Sequence, residues 1–172
     1  RIQRFPLPAG VQLFAKLEMF NPGGSVKDRL GMALIRAGEA SGKLKPGGTI
    51  IEPTAGNTGI GLAMAAIGTS YRVMFVVPEK FSVEKQQLMR ALGAEVVNTP
   101  TDKGMRGAIE RAQQLLQEIP NAYCPQQFGN PANPEAHYDT TGPEIWQQLD
   151  GKVDVFVCGA GSGGTFMGVA RY

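Results

Sequence analysis

Apolar positions along this chain follow two spacings that take turns. Short runs rich in β-branched residues, Thr49 to Glu52, Arg72 to Val77, Glu95 to Asn98 and Val153 to Cys158, predict strands. The alternation from Val11 to Leu17 predicts another, ending before Asn21-Pro22. Between them, Asn57 to Ile67, Ser82 to Leu92, Met105 to Glu118 and Tyr138 to Leu149 carry apolar residues at helical spacing, with Gly93 placed to cap the second of these. Leu30, Ala33, Leu34 and Ala37 mark one face of an earlier helix, which opens behind Ser25 and stops at Gly42. Ser25 followed three residues later by Asp28 predicts a capping box at its start. Strands separated by helices pair in parallel through crossovers, so the pattern predicts α/β architecture with an open, doubly wound sheet. Pro125 to Pro134, crowded with Gly129, Asn130, Pro131 and Asn133, has linker composition and predicts a crossing between domains.

Composition narrows the function classes. With 172 residues, 42% of them hydrophobic, the chain can bury a core, and it is globular rather than disordered. A net charge of +2 with both signs interspersed argues against nucleic acid and against anionic membrane as partners. No apolar stretch is long enough to span a bilayer, and no charged-then-apolar leader opens the sequence, so a cytoplasmic setting is expected. Cys124 and Cys158 lie at the ends of predicted strands, without metal-ligand spacing to each other or to the lone His137. They read as buried thiols in a reducing compartment; His137, at a predicted helix start, reads as structural or exposed rather than catalytic. No metal site is expected.

Three local patterns carry candidate chemistry. Asn21-Pro22-Gly23-Gly24-Ser25-Val26-Lys27 puts one lysine in the first turn of a helix, behind a glycine-rich turn. Positive helix-end charge and burial both favour the neutral amine there, which suits a Schiff-base lysine, although a surface lysine beside a tight turn fits the segment equally well. Pro53-Thr54-Ala55-Gly56-Asn57-Thr58-Gly59 follows a strand and gathers hydroxyls, an amide and free N–H groups at a helix N-terminus, a pocket suited to a carboxylate. Gly159-Ala160-Gly161-Ser162-Gly163-Gly164-Thr165 follows the last strand, and its bare backbone with two hydroxyls suits a phosphate. Both turns should open onto one crevice at the carboxyl ends of the strands. Gly159, Gly161 and Gly164 also match the dinucleotide fingerprint, so a nicotinamide-dependent oxidoreductase stays in view, as does a non-catalytic α/β binding module. The final βα unit has no strand after it, which suggests that the chain covers only part of a longer protein.

Taken together, five segments carry a resemblance: the Asn21 to Arg29 and Pro53 to Gly59 segments, Gln126-Gln127-Phe128-Gly129-Asn130-Pro131-Ala132-Asn133-Pro134, Thr140-Thr141-Gly142-Pro143-Glu144-Ile145-Trp146, and Gly161 to Thr165. In order and spacing they resemble the cysteine synthase and cystathionine β-synthase family, the pyridoxal-phosphate enzymes of fold type II. The resemblance implies two doubly wound α/β domains with pyridoxal 5'-phosphate in the cleft between them. Residues 31–130 would form the smaller domain, and residues 1–30 with 131–172 part of the larger. By the same resemblance Lys27 bonds the cofactor, Asn57 meets its ring hydroxyl, and Gly161, Ser162, Gly163, Gly164 and Thr165 hold its phosphate. Thr54, Ala55, Gly56, Asn57 and Thr58, assisted by Gln127, would hold the substrate carboxylate.

The implied reaction is β-replacement on O-acetylserine or serine by a thiol, with Lys27 taking and returning the Cα proton and the smaller domain closing over the site. Ala55 stands where the cysteine synthases carry serine. With Pro78-Glu79-Lys80-Phe81-Ser82-Val83-Glu84-Lys85 downstream, it makes the chain look most like bacterial O-acetylserine-dependent cystathionine β-synthases. Homocysteine is then the expected thiol, sulfide the alternative, and the family pattern implies a homodimer.

Overall fold

The computed structural model describes residues 1–172. Its sheet is four-stranded and parallel, in the order β3-β2-β1-β4, with β1 at Thr49–Pro53, β2 at Arg72–Pro78, β3 at Glu95–Thr99 and β4 at Ala122–Tyr123. Strands covered on both faces read as continuous apolar runs, and β2 does so from Val73 onward, while β1 is equally covered but carries Glu52. Alternate residues serve opposite layers. Ile50, Val73, Phe75 and Val77 pack with Leu30 and Leu34 of α1 (Lys27–Ala40), Ile60 and Leu62 of α2 (Asn57–Ala66) and Met89 of α3 (Val83–Ala91). Ile51, Met74 and Val76 turn the other way, onto Ala108, Ala112 and Leu115 of α4 (Gly104–Glu118). Full enclosure of side chains such as Phe75 and Leu62 stabilises by about 1.5–3 kcal/mol each, and this core holds the strand ends in place.

The closest approach in the core is between helices. A methyl group on Gly31 of α1 would run into the Gly61 carbonyl of α2, and one on Gly61 would run into the Lys27 carbonyl. The two helices therefore touch backbone to backbone, which fixes the height of Lys27 relative to the start of α2. Gly42, at φ +67°, ends α1 in the left-handed conformation that glycine adopts without strain.

Several expectations need correction. Val11 to Leu17 is not a strand: its only ladder contact is the Ile2 N–H bond to the Leu13 carbonyl at 2.8 Å, because no sheet edge lies beside it. Val153 to Cys158 has no regular secondary structure and pairs with no strand of this chain, and Val155 and Val157 stand 79% and 84% exposed. A β-branched run forms a strand only where a neighbour supplies the ladder. The helix expected over Tyr138 to Leu149 is present, inside a continuous helical run over residues 132–148 whose bonding pattern changes along it. α5 (Ala132–Ala136) leads into a π-helical turn at His137–Thr141 and then α6 (Gly142–Gln148), where Pro143 has no N–H with which to continue the ladder back to Asp139. α5 also begins inside the segment with linker composition. Residues 131–172 contribute α5, α6 and α7 (Gly164–Arg171), with α5 packed on α1 and on α7. No helix is long and apolar enough to cross a membrane.

Candidate active site

Lys27 is the first residue of α1. The expected capping box is rewired: Ser25 Oγ accepts the Lys27 N–H at 3.2 Å, while the Asp28 carboxylate reaches past Ser25 to accept the Gly23 N–H at 2.6 Å. Gly24, at φ +77°, makes that tight return possible. The Lys27 side chain is half-buried, and burial alone pushes its pKa below the ordinary lysine value, because an ammonium loses hydration there without gaining a carboxylate.

The first anion-suited turn stands at the carboxyl end of β1. Thr54 is buried, its Oγ1 accepts the Gly56 N–H at 3.3 Å, and α2 starts at Asn57 with no side chain capping its N-terminus. The N–H groups of that turn are thus directed at whatever occupies the pocket. Thr58 donates its hydroxyl to Gln127 Oε1 at 2.6 Å, which brings together two residues far apart in sequence.

Gln127 is aimed by a glutamate that the sequence pattern passed over. Glu52, 2% exposed at the end of β1, accepts the Gln126 N–H at 3.0 Å, the Gln127 N–H at 3.3 Å and the Cys124 thiol at 3.4 Å. Gln126 has φ +54°, a left-handed conformation that costs a non-glycine residue about 1–3 kcal/mol unless its surroundings impose it. The buried carboxylate imposes it by gathering the N–H groups on either side. Burial raises the Glu52 pKa, and the two backbone donors act against that rise. Cys124 and Cys158 are half-buried rather than buried; burial first, then the Glu52 charge, pushes the Cys124 thiol up to about 12, so it is inert as a nucleophile.

The second turn meets the first through Asn133. Asn133 Nδ2 donates to the Gln127 carbonyl at 2.9 Å and to Ser162 Oγ at 2.8 Å. A methyl on Gly164 would collide with the Asn133 side chain, so only glycine fits where α7 begins. Gly163 precedes it at φ +79°, again with no side chain capping the helix. Thr165 Oγ1 lies 3.3 Å from His137 Nε2, and His137 Nδ1 lies 2.9 Å from Thr141 Oγ1. His137 is fully enclosed. Burial, followed by the charges of Lys27 and Arg29, pushes its pKa down to about 4, so it is neutral near pH 7 and lies within electrostatic reach of Lys27.

Two hollows share a wall of Gln127, Phe128 and Gly129. One, of about 240 Å³, is lined by Asn133, Ser162, Gly163 and Gly164 and by no acidic side chain. Its neutral hydroxyl, amide and backbone donors suit a phosphate. The other, of about 560 Å³, runs from Thr54, Ala55, Gly56 and Thr58 to the apolar side chains Met105, Ile109 and Leu116. Lys27, Asn57, Gly161 and Thr165 border neither hollow. Thr54, Ala55, Gly56 and Thr58 on one side and Ser162, Gly163 and Gly164 on the other form two groups that share Gln127, with Lys27 on α1 and Thr165 on α7 outside both. Glu52, Asn133 and His137 were missed. A charge inside an otherwise apolar strand was a usable signal for Glu52; Asn133 was marked only by its place in the Gln126 to Pro134 segment that carries the resemblance.

Comparison with known proteins decides what this arrangement belongs to. The sequence profile of the family described as pyridoxal-phosphate dependent enzyme matches residues 1–172. The chain belongs to that family. As a member of the pyridoxal-phosphate-dependent enzymes, it is 58% identical over 172 residues to the O-acetylserine dependent cystathionine beta-synthase of Bacillus subtilis (strain 168), covering 100% of this chain and 56% of that protein. It is also 58% identical over 168 residues to a cysteine synthase of Helicobacter pylori (strain ATCC 700392 / 26695), covering 98% of this chain and 55% of that one. A crystal structure of O-acetylserine dependent cystathionine beta-synthase from Helicobacter pylori superposes with a TM-score of 0.86 at 60% identity, over 92% of this chain and 52% of that structure. The chain spans a little over half the length of these curated relatives. Its cofactor is that of the family, pyridoxal phosphate, and the neutral donors around the 240 Å³ hollow fit the phosphate of that group.

Proposed function

We propose that this pyridoxal-phosphate-dependent chain serves a β-replacement in which a thiol displaces the β-substituent of O-acetylserine or serine. The observation that carries the reading is the Thr58–Gln127–Asn133–Ser162 chain of hydrogen bonds, which ties a carboxylate-suited turn to a phosphate-suited turn at fixed separation. The cofactor, when bound, supplies an aldehyde for the substrate amine and a ring that draws off the negative charge developing at Cα. Ser162 and Thr165 hydroxyls and the N–H groups at the start of α7 hold its phosphate. Asn57 meets its ring hydroxyl. Thr54, Ala55, Gly56 and Thr58, with Gln127, bind the substrate carboxylate and so orient the Cα–H bond. Lys27, its pKa lowered by burial, would hold the cofactor covalently and, once released, would take the Cα proton at Nζ and later return it. Residues 31–130 make up the smaller domain, residues 1–30 and 131–172 belong to the larger, and the enzyme works as a cytoplasmic homodimer.

For the thiol, we favour homocysteine. Ala55 leaves out a hydroxyl at the mouth of the 560 Å³ hollow, and its apolar α4 wall gives a thiol-bearing carbon chain somewhere to lie. The equal identity to a cysteine synthase supports sulfide as a second reading. Two measurements test the proposal. The holoenzyme should show a visible absorption band that Lys27→Ala abolishes, and a protein that takes up no cofactor would refute the assignment. With O-acetylserine supplied, homocysteine should be consumed faster than sulfide; clear preference for sulfide reverses the narrower reading.

A further inference from the structure

We propose that His137 is a positioning residue for the cofactor phosphate: through Nε2–H it fixes the lone pairs of Thr165, so that the Thr165 hydroxyl proton points into the phosphate turn. The inference rests on the reading of Thr165 as a phosphate ligand. It starts from a buried imidazole that the proposed reaction does not use, held between two threonine hydroxyls, 2.9 Å from Thr141 Oγ1 and 3.3 Å from Thr165 Oγ1.

A neutral imidazole has one N–H, so the two contacts must run in the same direction along the chain of groups. In one direction Nδ1–H donates to Thr141 and Nε2 accepts the Thr165 proton. Thr165 would then face a phosphate with lone pairs only, acceptor against anion. In the other direction Thr141 donates to Nδ1, Nε2–H donates to Thr165, and the Thr165 proton is free for a phosphate oxygen. A bound phosphate therefore selects the Nε2–H tautomer. The surroundings keep the ring where this works: a methyl on Gly168 of α7 would strike the His137 Cβ and the Pro134 carbonyl, so α7 lies directly against the histidine. The π-helical turn His137–Thr141 sets Thr141 four residues on, within reach of Nδ1.

His137 is the one histidine of this sequence, which makes its nitrogen resonances simple to assign. In 15N NMR of the holoenzyme at neutral pH, Nε2 should show the protonated, pyrrole-type shift and Nδ1 the bare, pyridine-type shift. The reverse pattern overturns the proposal, and this readout needs no variant. As a second measurement, His137→Gln sets an amide donor near the Nε2 position, whereas His137→Asn mimics Nδ1. Cofactor dissociation constants should change little in His137→Gln and weaken about tenfold in His137→Asn, the loss of roughly one hydrogen bond to a charged group, with a moved 31P resonance. Equal affinity and an unmoved 31P resonance in both variants would refute the positioning role while leaving the Lys27 assignment intact. Failure of the unaltered protein to bind cofactor would instead remove the functional reading on which the inference stands.

Discussion

At the scale of single residues, candidate ligand-facing turns are easier to pick out in the sequence than the groups that hold them. Lys27, the Thr54 to Thr58 turn and the Gly161 to Thr165 turn stand out through glycines and hydroxyls gathered at helix starts, because backbone that approaches a ligand needs those residue types. Glu52 does not. Its work is on backbone N–H groups of Gln126 and Gln127, far away in sequence; the charge inside a buried strand marks Glu52 as unusual, but nothing local says which donors it serves. Glu52→Gln would turn one acceptor oxygen into an NH2 facing an N–H, leaving a buried donor unsatisfied at a cost of about 1–3 kcal/mol. The expected result is a lower urea midpoint and a raised KM for the amino-acid substrate, because Gln127 is no longer held toward Thr58. Unchanged values for both would show that the loop keeps its shape without the carboxylate.

At the scale of elements, the central β1, α2, β2, α3, β3 and α4 follow their periodicities because each has its neighbour within the chain. Segments 11–17 and 153–158 fail to form strands for the converse reason: pattern records the capacity to pair, while a ladder needs a partner. The π-helical turn was illegible because it depends on where Pro143 falls relative to α5. Two predictions belong here. Gly61→Ala should gain up to about 1 kcal/mol of helix propensity but lose about 1–3 kcal/mol to the clash with the Lys27 carbonyl. A net fall in melting temperature with weaker cofactor uptake is expected, and a rise in melting temperature would mean that α1 and α2 separate freely. The second concerns Arg29, which pairs with Glu18 at 2.7 Å and Glu144 at 2.7 Å and so joins the N-terminal segment, α1 and α6, with Lys16 also on Glu144 at 2.7 Å. The Arg29 hydrogen bond holds Glu144 down at about 2, against an ordinary value of 4.5. A carboxyl whose pKa is lower in the folded state stabilises above its unfolded value, and that contribution disappears as pH falls from about 4.5 toward 2. Stability of the native protein should drop across that window, and Glu144→Gln should flatten the profile there; parallel profiles would count against the network.

At the scale of the whole molecule, the α/β class, the parallel pairing and the family were all legible, since they depend on many weak signals that agree. The arrangement of residues 131–172 was not, because its helices pack through glycines such as Gly164 and Gly168, whose importance lies in what a side chain would strike. One feature of that arrangement reaches across the protein. Gln127 offers its side chain to Thr58 and its carbonyl to Asn133, which in turn holds Ser162. Under the proposed reading this bridge should link the two pockets, and linkage is reciprocal: whatever factor the cofactor adds to amino-acid affinity, the amino acid must add to cofactor retention. A non-reacting amino acid should slow cofactor loss in dialysis, and Gln127→Ala should erase that effect. Equal loss rates with and without the amino acid would show the pockets to be independent. If they are linked, the amino acid helps guard the cofactor it uses, and scarcity of one would show itself as slow depletion of the other.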